Sequence, residues 1–297
     1  MTTKVNVSTK HQYRGLTRWG RISRNFALIF PVAIFAIMIF TAIFANLLAP
    51  YPYQENSLTE RRVPPAWVEK GSTKHFLGTD TLGRDVLSRA IYGARISLSV
   101  SLLAILITAG VGTVLGIMAG YLGGRVDAFI MRITDIAMSF PNLLLAIIIA
   151  VSLGPGFFTV IFALSILGWA GYARIIRGES LRLKNSDFVL QALISGASPR
   201  RIMVRHIFPN IVNVLIIGVT LSVGAMILAE SAMSYLGIGI PPPTPSWGSM
   251  VADGRNDLDR AWWIATFPGI LIGLVVLSGN FLGDWLRDKL DPRLRQL

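Results

Sequence analysis

The 297-residue chain contains no cysteine, so neither a disulfide framework nor a thiolate metal site can be built from it. Histidine is nearly as scarce: His11, His75 and His206 lie too far apart for metal-ligand spacing, and no metal site is expected. Charge is sparse as well, with 15% charged against 53% hydrophobic residues and a mean hydropathy of +0.57. That composition is too apolar for a soluble domain of this length and places the bulk of the chain in a bilayer. A net charge of +12 could suggest nucleic acid, but that reading needs a basic face on a folded soluble domain. Here Lys and Arg sit in loops beside apolar runs, where anionic lipid or cytoplasmic partners are expected. Also missing are a GxxxxGK[ST] phosphate loop, a GxSxG elbow and an HExxH pair. No catalytic residue and no cofactor are therefore expected, and any ATP that drives the protein must be hydrolysed on another polypeptide.

What the chain has instead is long apolar runs. A helix needs about 20 mainly apolar residues to cross the hydrocarbon. Six segments qualify, at 26–48, 98–122, 136–153, 157–173, 211–233 and 264–282. The third and fourth are divided only by Gly154, Pro155 and Gly156, which predicts a tight turn and an antiparallel hairpin. The first follows a basic, acid-free stretch, yet its apolar core exceeds the roughly 7–15 residues of a signal peptide, so it reads as a retained anchor. Residues 1–25 hold Lys4, Lys10, Arg14, Arg18, Arg21 and Arg24 with no acid, and the 174–210 loop holds seven basic residues against Glu179 and Asp187. In the 49–97 and 234–263 loops the charges are mixed. The positive-inside rule then puts both termini and the 174–210 loop in the cytoplasm and the mixed-charge loops outside. The expected organisation is a cytoplasmic segment 1–25, an anchor 26–48, an extracytoplasmic loop 49–97, a five-helix core 98–283 and a cytoplasmic tail 284–297.

Within the cytoplasmic loop, residues 186–210 read SDFVLQALISGASPRRIMVRHIFPN. Ser186 or Asp187 can cap a short helix through Phe188, Val189, Ala192 and Leu193, and Gly196 supplies the left-handed residue that stops it. Ser198 then caps a second helix that starts at Pro199, where a missing N–H costs nothing. Its apolar positions are Ile202, Val204, Ile207 and Phe208, and Arg200, Arg201 and Arg205 are polar; Pro209 precedes the fifth span. Such a pair is either an interfacial amphipathic segment resting on headgroups or a knob for the groove of a cytoplasmic partner. Local patterning leaves both open.

Inside the spans, Gly112, Gly116 and Gly120 repeat every fourth residue and make a bare face for close helix approach, within this subunit or against another. Glu230, near the outer end of the fifth span, is either a path-lining carboxylate or a hydrogen-bonded helix end beside Ser231 and Ser234. Asn280 in the last span carries the same two readings. Asp85 is placed to cap the helix that leads into the second span.

Several stretches together resemble a known family. The spacing from Gly196 to Pro209, with Ala192 before it and Phe208 before the proline, is similar to the EAA loop of ABC importer membrane subunits, whose pattern is Glu-Ala-Ala, three residues, Gly, nine residues, Ile, any, Leu, Pro. Leu190, Gln191 and Ala192 stand at the Glu-Ala-Ala positions, His206 at the Ile and Phe208 at the Leu. The missing glutamate removes the basis for carrying over an ion pair with an ATPase and leaves the docking role. HFLGTDTLGRDVLSR (75–89), GYLGGRVDAFIMRITDI (120–136), YLGIGIPPPTPSWGSMVADGR (235–255) and FLGDWLRDKLDP (281–292) resemble the C-type permeases of dipeptide, oligopeptide and nickel importers. The resemblance implies an all-α polytopic fold of the type I ABC importer permease class, with six transmembrane helices and a cytoplasmic coupling helix. It also implies a second homologous permease, two ATP-binding subunits, an extracytoplasmic substrate-binding protein and a bacterial or archaeal plasma membrane. The coupling residues would be Leu190, Gln191, Ala192, Gly196, Ala197, Ser198, Arg201, Arg205, His206, Phe208 and Pro209. The cargo would be di- or oligopeptides, with a nickel chelate or another small solute as the alternative. A stand-alone secondary transporter would call for midplane ionisable groups or inverted repeats, and only Glu230 is a candidate.

Overall fold

The computed structural model describes residues 18–290, so Lys4, Lys10, Arg14 and His11 and the last seven residues of the tail lie outside the described residues. The helices are α1 (Arg18–Ile43), α2 (Ala45–Leu48), α3 (Val86–Leu122), α4 (Gly124–Met138), α5 (Asn142–Leu153), α6 (Phe157–Lys184), α7 (Asp187–Ile194), α8 (Pro199–Ile202), α9 (Phe208–Tyr235), α10 (Trp247–Gly254) and α11 (Trp263–Leu290). Among the described residues there is no strand, and the fold is all-helical.

Among the described residues four helices are long and apolar enough to cross a membrane: α3, α6, α11 and a continuous helix Pro199–Tyr235 that joins α8 to α9. The expected 136–153 span is not one helix. The chain bends by 84° between α4 and α5, because Pro141 has no N–H to give and disfavours helical backbone at Phe140 before it. Counting that bent pair as one span makes five. In α1 the apolar stretch among the residues with described side chains is Leu28–Ile43, and the chain turns at Phe44 into the four-residue α2. Boundaries move too: the second span begins at Val86 rather than at 98, and the fourth runs on to Lys184. Both extensions carry polar residues that hydropathy counts exclude; Ser88 and Arg89 of the first are buried, while Arg174 and Arg182 of the second stay exposed.

Local chemistry sets the ends. Asp85 Oδ2 accepts from the Ser88 amide at 2.7 Å and starts α3. Gly123, at φ 69°, ends it. Ser246 and Ser249 form a reciprocal cap on α10. Gly154, at φ 84°, turns α5 back so that it packs along α6.

α3 and α6 run side by side in the same direction, and the three glycines make their seam. A Cβ at Gly112 would lie 2.5 Å from Tyr172 Cβ, one at Gly116 2.7 Å from the Ala173 carbonyl oxygen, and one at Gly120 2.6 Å from Ser180 Cβ. The bare face is therefore used within this chain. α9 and α11 complete the bundle, α9 packing on α3, and α1 lies across α3 and α11.

Residues 49–85 and α10 cover the end of the bundle where α3 starts, called here the cap end; α7 and α8 lie at the opposite, hinge end. The cap is held by buried charge. Asp80 accepts from Arg84 Nε at 2.6 Å and also from Arg89, and both guanidinium groups reach Asp253 Oδ2 at 3.0 Å. His75 Nδ1 lies 2.9 Å from Asp85 Oδ1. Lys74 donates to Glu60 at 2.7 Å, which holds the Glu60 carboxyl below and the Lys74 ammonium above their ordinary pKa ranges. Arg95 donates to the carbonyl oxygens of Ala42 and Ile43 at 2.7 and 3.0 Å, so the free end of α1 is satisfied from α3.

Because the Cβ that Gly116 lacks would meet backbone, Gly116→Leu must separate α3 from α6, at about 1–3 kcal/mol or more. The purified variant should melt below wild type in detergent. Gly178→Ala, whose Cβ meets no atom within 4 Å, should be neutral or stabilising by up to about 1 kcal/mol. Equal melting temperatures for Gly116→Leu and wild type would mean that the seam does not hold the bundle.

Candidate functional site: an apolar helix at the hinge and a buried carboxylate behind it

Two places collect the residues singled out in the sequence. The first is the hinge end. Ser186 stands at the start of α7, but its hydroxyl donates to the Leu183 carbonyl at 2.5 Å and makes no cap bond to α7. At the other end of α7 the Gly196 amide donates to Leu193 O and the Ala197 amide to Ala192 O, both at 3.0 Å, with Gly196 at φ 79°. This is the paired closing pattern of a left-handed helix stop. Ser198 Oγ then accepts from the Arg201 amide at 3.4 Å, with Pro199 at the first position of α8. A five-residue π turn, Met203–Ile207, feeds α8 into α9 without a break, and Pro209 sits in the first turn of α9.

One side of this hinge is anchored and the other is bare. Val189, Ile202 and Ile207 are buried against Ile176, Leu183 and Ile211. Phe188, Leu190 and Leu193 are exposed, and Ile194 is 87% exposed. Gln191, Gly196, Ser198, Arg201, Arg205, Phe208 and Pro209 are exposed, and Ala192, Ala197 and His206 half-buried. Asn210 Nδ2 donates to the His206 carbonyl at 2.6 Å. The expected apolar face of the second helix splits, since Val204 and Phe208 point outward whereas Ile202 and Ile207 point inward. The π turn rotates the register there, a change that the residue spacing does not reveal. Ile194 is the exposed residue that the sequence reading passed over; its signal was one more apolar side chain just before the stop glycine.

The second place is near the cap end of α9. Glu230 is 0% exposed. Ser97 Oγ on α3 and Ser234 Oγ donate to its carboxylate at 3.1 and 2.8 Å, and Ser246 Oγ, which caps α10, lies 3.2 Å from Ser234 Oγ. Ser97 Oγ also accepts from the Trp247 amide at 3.2 Å, and the Trp247 indole donates to Ala90 O at 3.0 Å. One carboxylate thus joins α3, α9 and α10 through hydroxyls. Asn280, by contrast, is exposed on α11, far along the chain from this cluster, and the structure does not bring the two together. At the hinge end, Arg177 on α6 clamps Asp127 on α4 with two bonds of 2.5 and 2.6 Å. Among the described residues no group of three acidic or histidine side chains could hold a metal ion.

Apolar helices of spanning length, with charge gathered toward their ends, define a polytopic membrane protein. The chain belongs to the family of binding-protein-dependent transport system inner membrane components, whose model matches residues 112–296. Residues 17–65 match the N-terminal TM domain of oligopeptide transport permease C. It is 43% identical over 278 residues to the dipeptide transport system permease protein DppC of Escherichia coli strain K12, covering 94% of this chain and 93% of that one. It is 39% identical to the di/tripeptide transport system permease protein DppC of Pseudomonas aeruginosa, over 93% of this chain and 91% of that one. To the oligopeptide transport system permease protein OppC of Bacillus subtilis it is 39% identical, over 93% and 88%.

Glu230→Ala leaves the hydroxyls of Ser97 and Ser234 without their acceptor in a buried site, which costs about 1–3 kcal/mol. Its melting temperature should fall and the 234–263 loop should become open to protease, while Glu230→Gln keeps acceptor and volume and should stay close to wild type. Wild-type melting of Glu230→Ala would remove the carboxylate as a tie.

Proposed function

We propose that the chain is a permease subunit of an ATP-binding-cassette importer of di- or oligopeptides, forming the translocation path with a second, homologous permease. The observation that carries this reading is the likeness, along more than nine-tenths of the chain, to permeases named for dipeptides, tripeptides and oligopeptides. Those names favour peptides over a nickel chelate. Two separate ATP-binding subunits would supply the energy, and an extracytoplasmic binding protein would deliver the cargo to the cap end. The basic residues Arg174, Arg182, Lys184, Arg200, Arg201 and Arg205 at the hinge end support a cytoplasmic position for it. Both termini would then be cytoplasmic in a bacterial or archaeal plasma membrane. In this reading α1 with α2, and α4 with α5, act as spans beside the four long helices, which makes six.

The coupling element would be 186–210, with the bare face of α7 seated in a groove of the ATPase. From there the continuous helix Pro199–Tyr235, about 55 Å long at the usual rise per residue, runs to Glu230 and the cap. A displacement of α8 is passed along α9 because a helix is stiff, and the carboxylate tie hands it to α10 and α3. ATP shifts the balance between inward-open and outward-open bundles only through its different affinity for the two, and no covalent chemistry falls on this chain. Glu230 serves in this scheme as a positioning residue, and the division into anchor 26–48, core 98–283 and tail 284–297 follows the same reading.

Ile194→Asp puts a charge into the expected contact and leaves a side chain that is already in water in this chain. The variant should reach the membrane at wild-type level, yet ATP-binding subunits should no longer co-purify with it in mild detergent. Undiminished co-purification would move the docking site elsewhere. Recovery of the wild-type chain alone, active in liposomes without ATP, would overturn the importer.

A further inference from the structure

A second surface at the hinge end has a different character from the bare face of α7. Between the lower half of α3 and the start of α9 lies a groove of about 640 Å³, lined by Leu106, Gly110 and Val114 on one side and Val204 and Phe208 on the other. Arg200, at its end, is the one charged residue in the lining. The volume is that of an ordinary small-molecule site, and its shape is that of an amphiphile: hydrocarbon for most of its length and a cation at one end.

Three observations identify the occupant. First, the lining on α3 extends from Leu106 to Met118, about 18 Å of helix, which matches one leaflet of a hydrocarbon core about 30 Å thick. Second, the groove opens onto the exposed aliphatic face of α3, where Leu102, Leu103, Ile107 and Val111 stand out from the bundle. In a chain that spans a bilayer, what reaches such a face is lipid. Third, Arg200 has no ion-pair partner among the described residues, and neither do its neighbours Arg201 and Arg205. An unneutralised guanidinium at the end of the groove, with two more close by in sequence, favours a lipid with net negative charge over a zwitterionic one.

We propose that this groove binds an anionic phospholipid of the leaflet at the hinge end, with an acyl chain along α3 and the phosphate at Arg200. One wall of the site is α8 with its π turn, so the lipid rests against the joint through which α8 drives α9. The assignment needs only that the chain spans a membrane, and it does not rest on the identity of the cargo.

Gly110 gives a clean way to fill the groove, because a Cβ placed on it meets no atom within 4 Å. The full-length protein, with whatever subunits co-purify, would be placed in nanodiscs containing dioleoyl phosphatidylglycerol and dioleoyl phosphatidylcholine, released, and its retained lipids counted by native mass spectrometry. Wild type should retain phosphatidylglycerol in preference to phosphatidylcholine. Arg200→Gln should weaken that retention about fivefold, the usual share of one basic residue near a charged surface, and Gly110→Leu should displace the lipid with the melting temperature unchanged. Equal retention of the two lipids by wild type, or a preference untouched by both variants, would overturn the site. Loss of a second protein chain from Gly110→Leu with the lipid count unchanged would assign the groove to a protein neighbour instead. No ATPase activity or peptide uptake enters the readout, so the result stands apart from the importer reading.

Discussion

In hydrocarbon, helices gain nothing by hiding apolar side chains from a solvent that is equally apolar, and what holds them is close packing. The α3–α6 seam is where this chain meets that constraint. Gly112, Gly116 and Gly120 bring the backbone of α3 against Trp169, Ala173 and Arg177 carbonyl oxygens of α6, nearer than any side chain would permit. With those two helices fixed in parallel, their C-terminal ends share one side of the molecule. The direction of α4, the turn into α7 and the starting point of α9 all follow from that side.

Polar groups are handled in two ways. At the ends of the bundle they are paired: Asp80 with Arg84 and Arg89, Asp127 with Arg177, Arg62 with Asp257 at 2.9 Å. The Asp127–Arg177 and Arg62–Asp257 pairs tie segments distant in sequence, whereas Asp80 and its two arginines are near neighbours tied to a distant segment through Asp253. Removing one partner of a buried pair costs far more than the pair itself contributes, because the other charge is left uncompensated. Within the bundle, Glu230 is the one acid among the described residues that is wholly buried in a span, and hydroxyls from Ser97 and Ser234 lie on it in place of a cation. The difference in partner suits the difference in place. Charge pairs brace the cap, and a hydroxyl-solvated carboxylate joins a long helix to it.

The hinge end shows how far residue patterns reach. Gly196 as a left-handed stop, Ser198 as a cap and Pro199 as a first helical residue were legible, because each depends on the backbone preference of one residue or on a bond to a near neighbour. The orientation of Val204 and Phe208 was not, because a single π turn rotates every later side chain. The break at Ser139–Pro141 was missed for a related reason: a hydropathy sum across 136–153 cannot register that one proline has divided an apolar run into two directions.

The sequence by itself determined that this is a helical membrane chain, where its apolar runs lie, that its glycine face is a contact, and which residues punctuate the hinge. Those properties are sums or short-range preferences, and they survive without knowledge of the fold. Only the tertiary structure decided which helix fills the glycine face, that Glu230 meets the Ser97 hydroxyl of α3, and that α8 continues into α9. It also showed that Asp80, on the loop before α3, and Asp253, on α10, share two arginines. These depend on distances between segments as many as 169 residues apart, as Arg84 and Asp253 are, and no local preference encodes a distance of that kind.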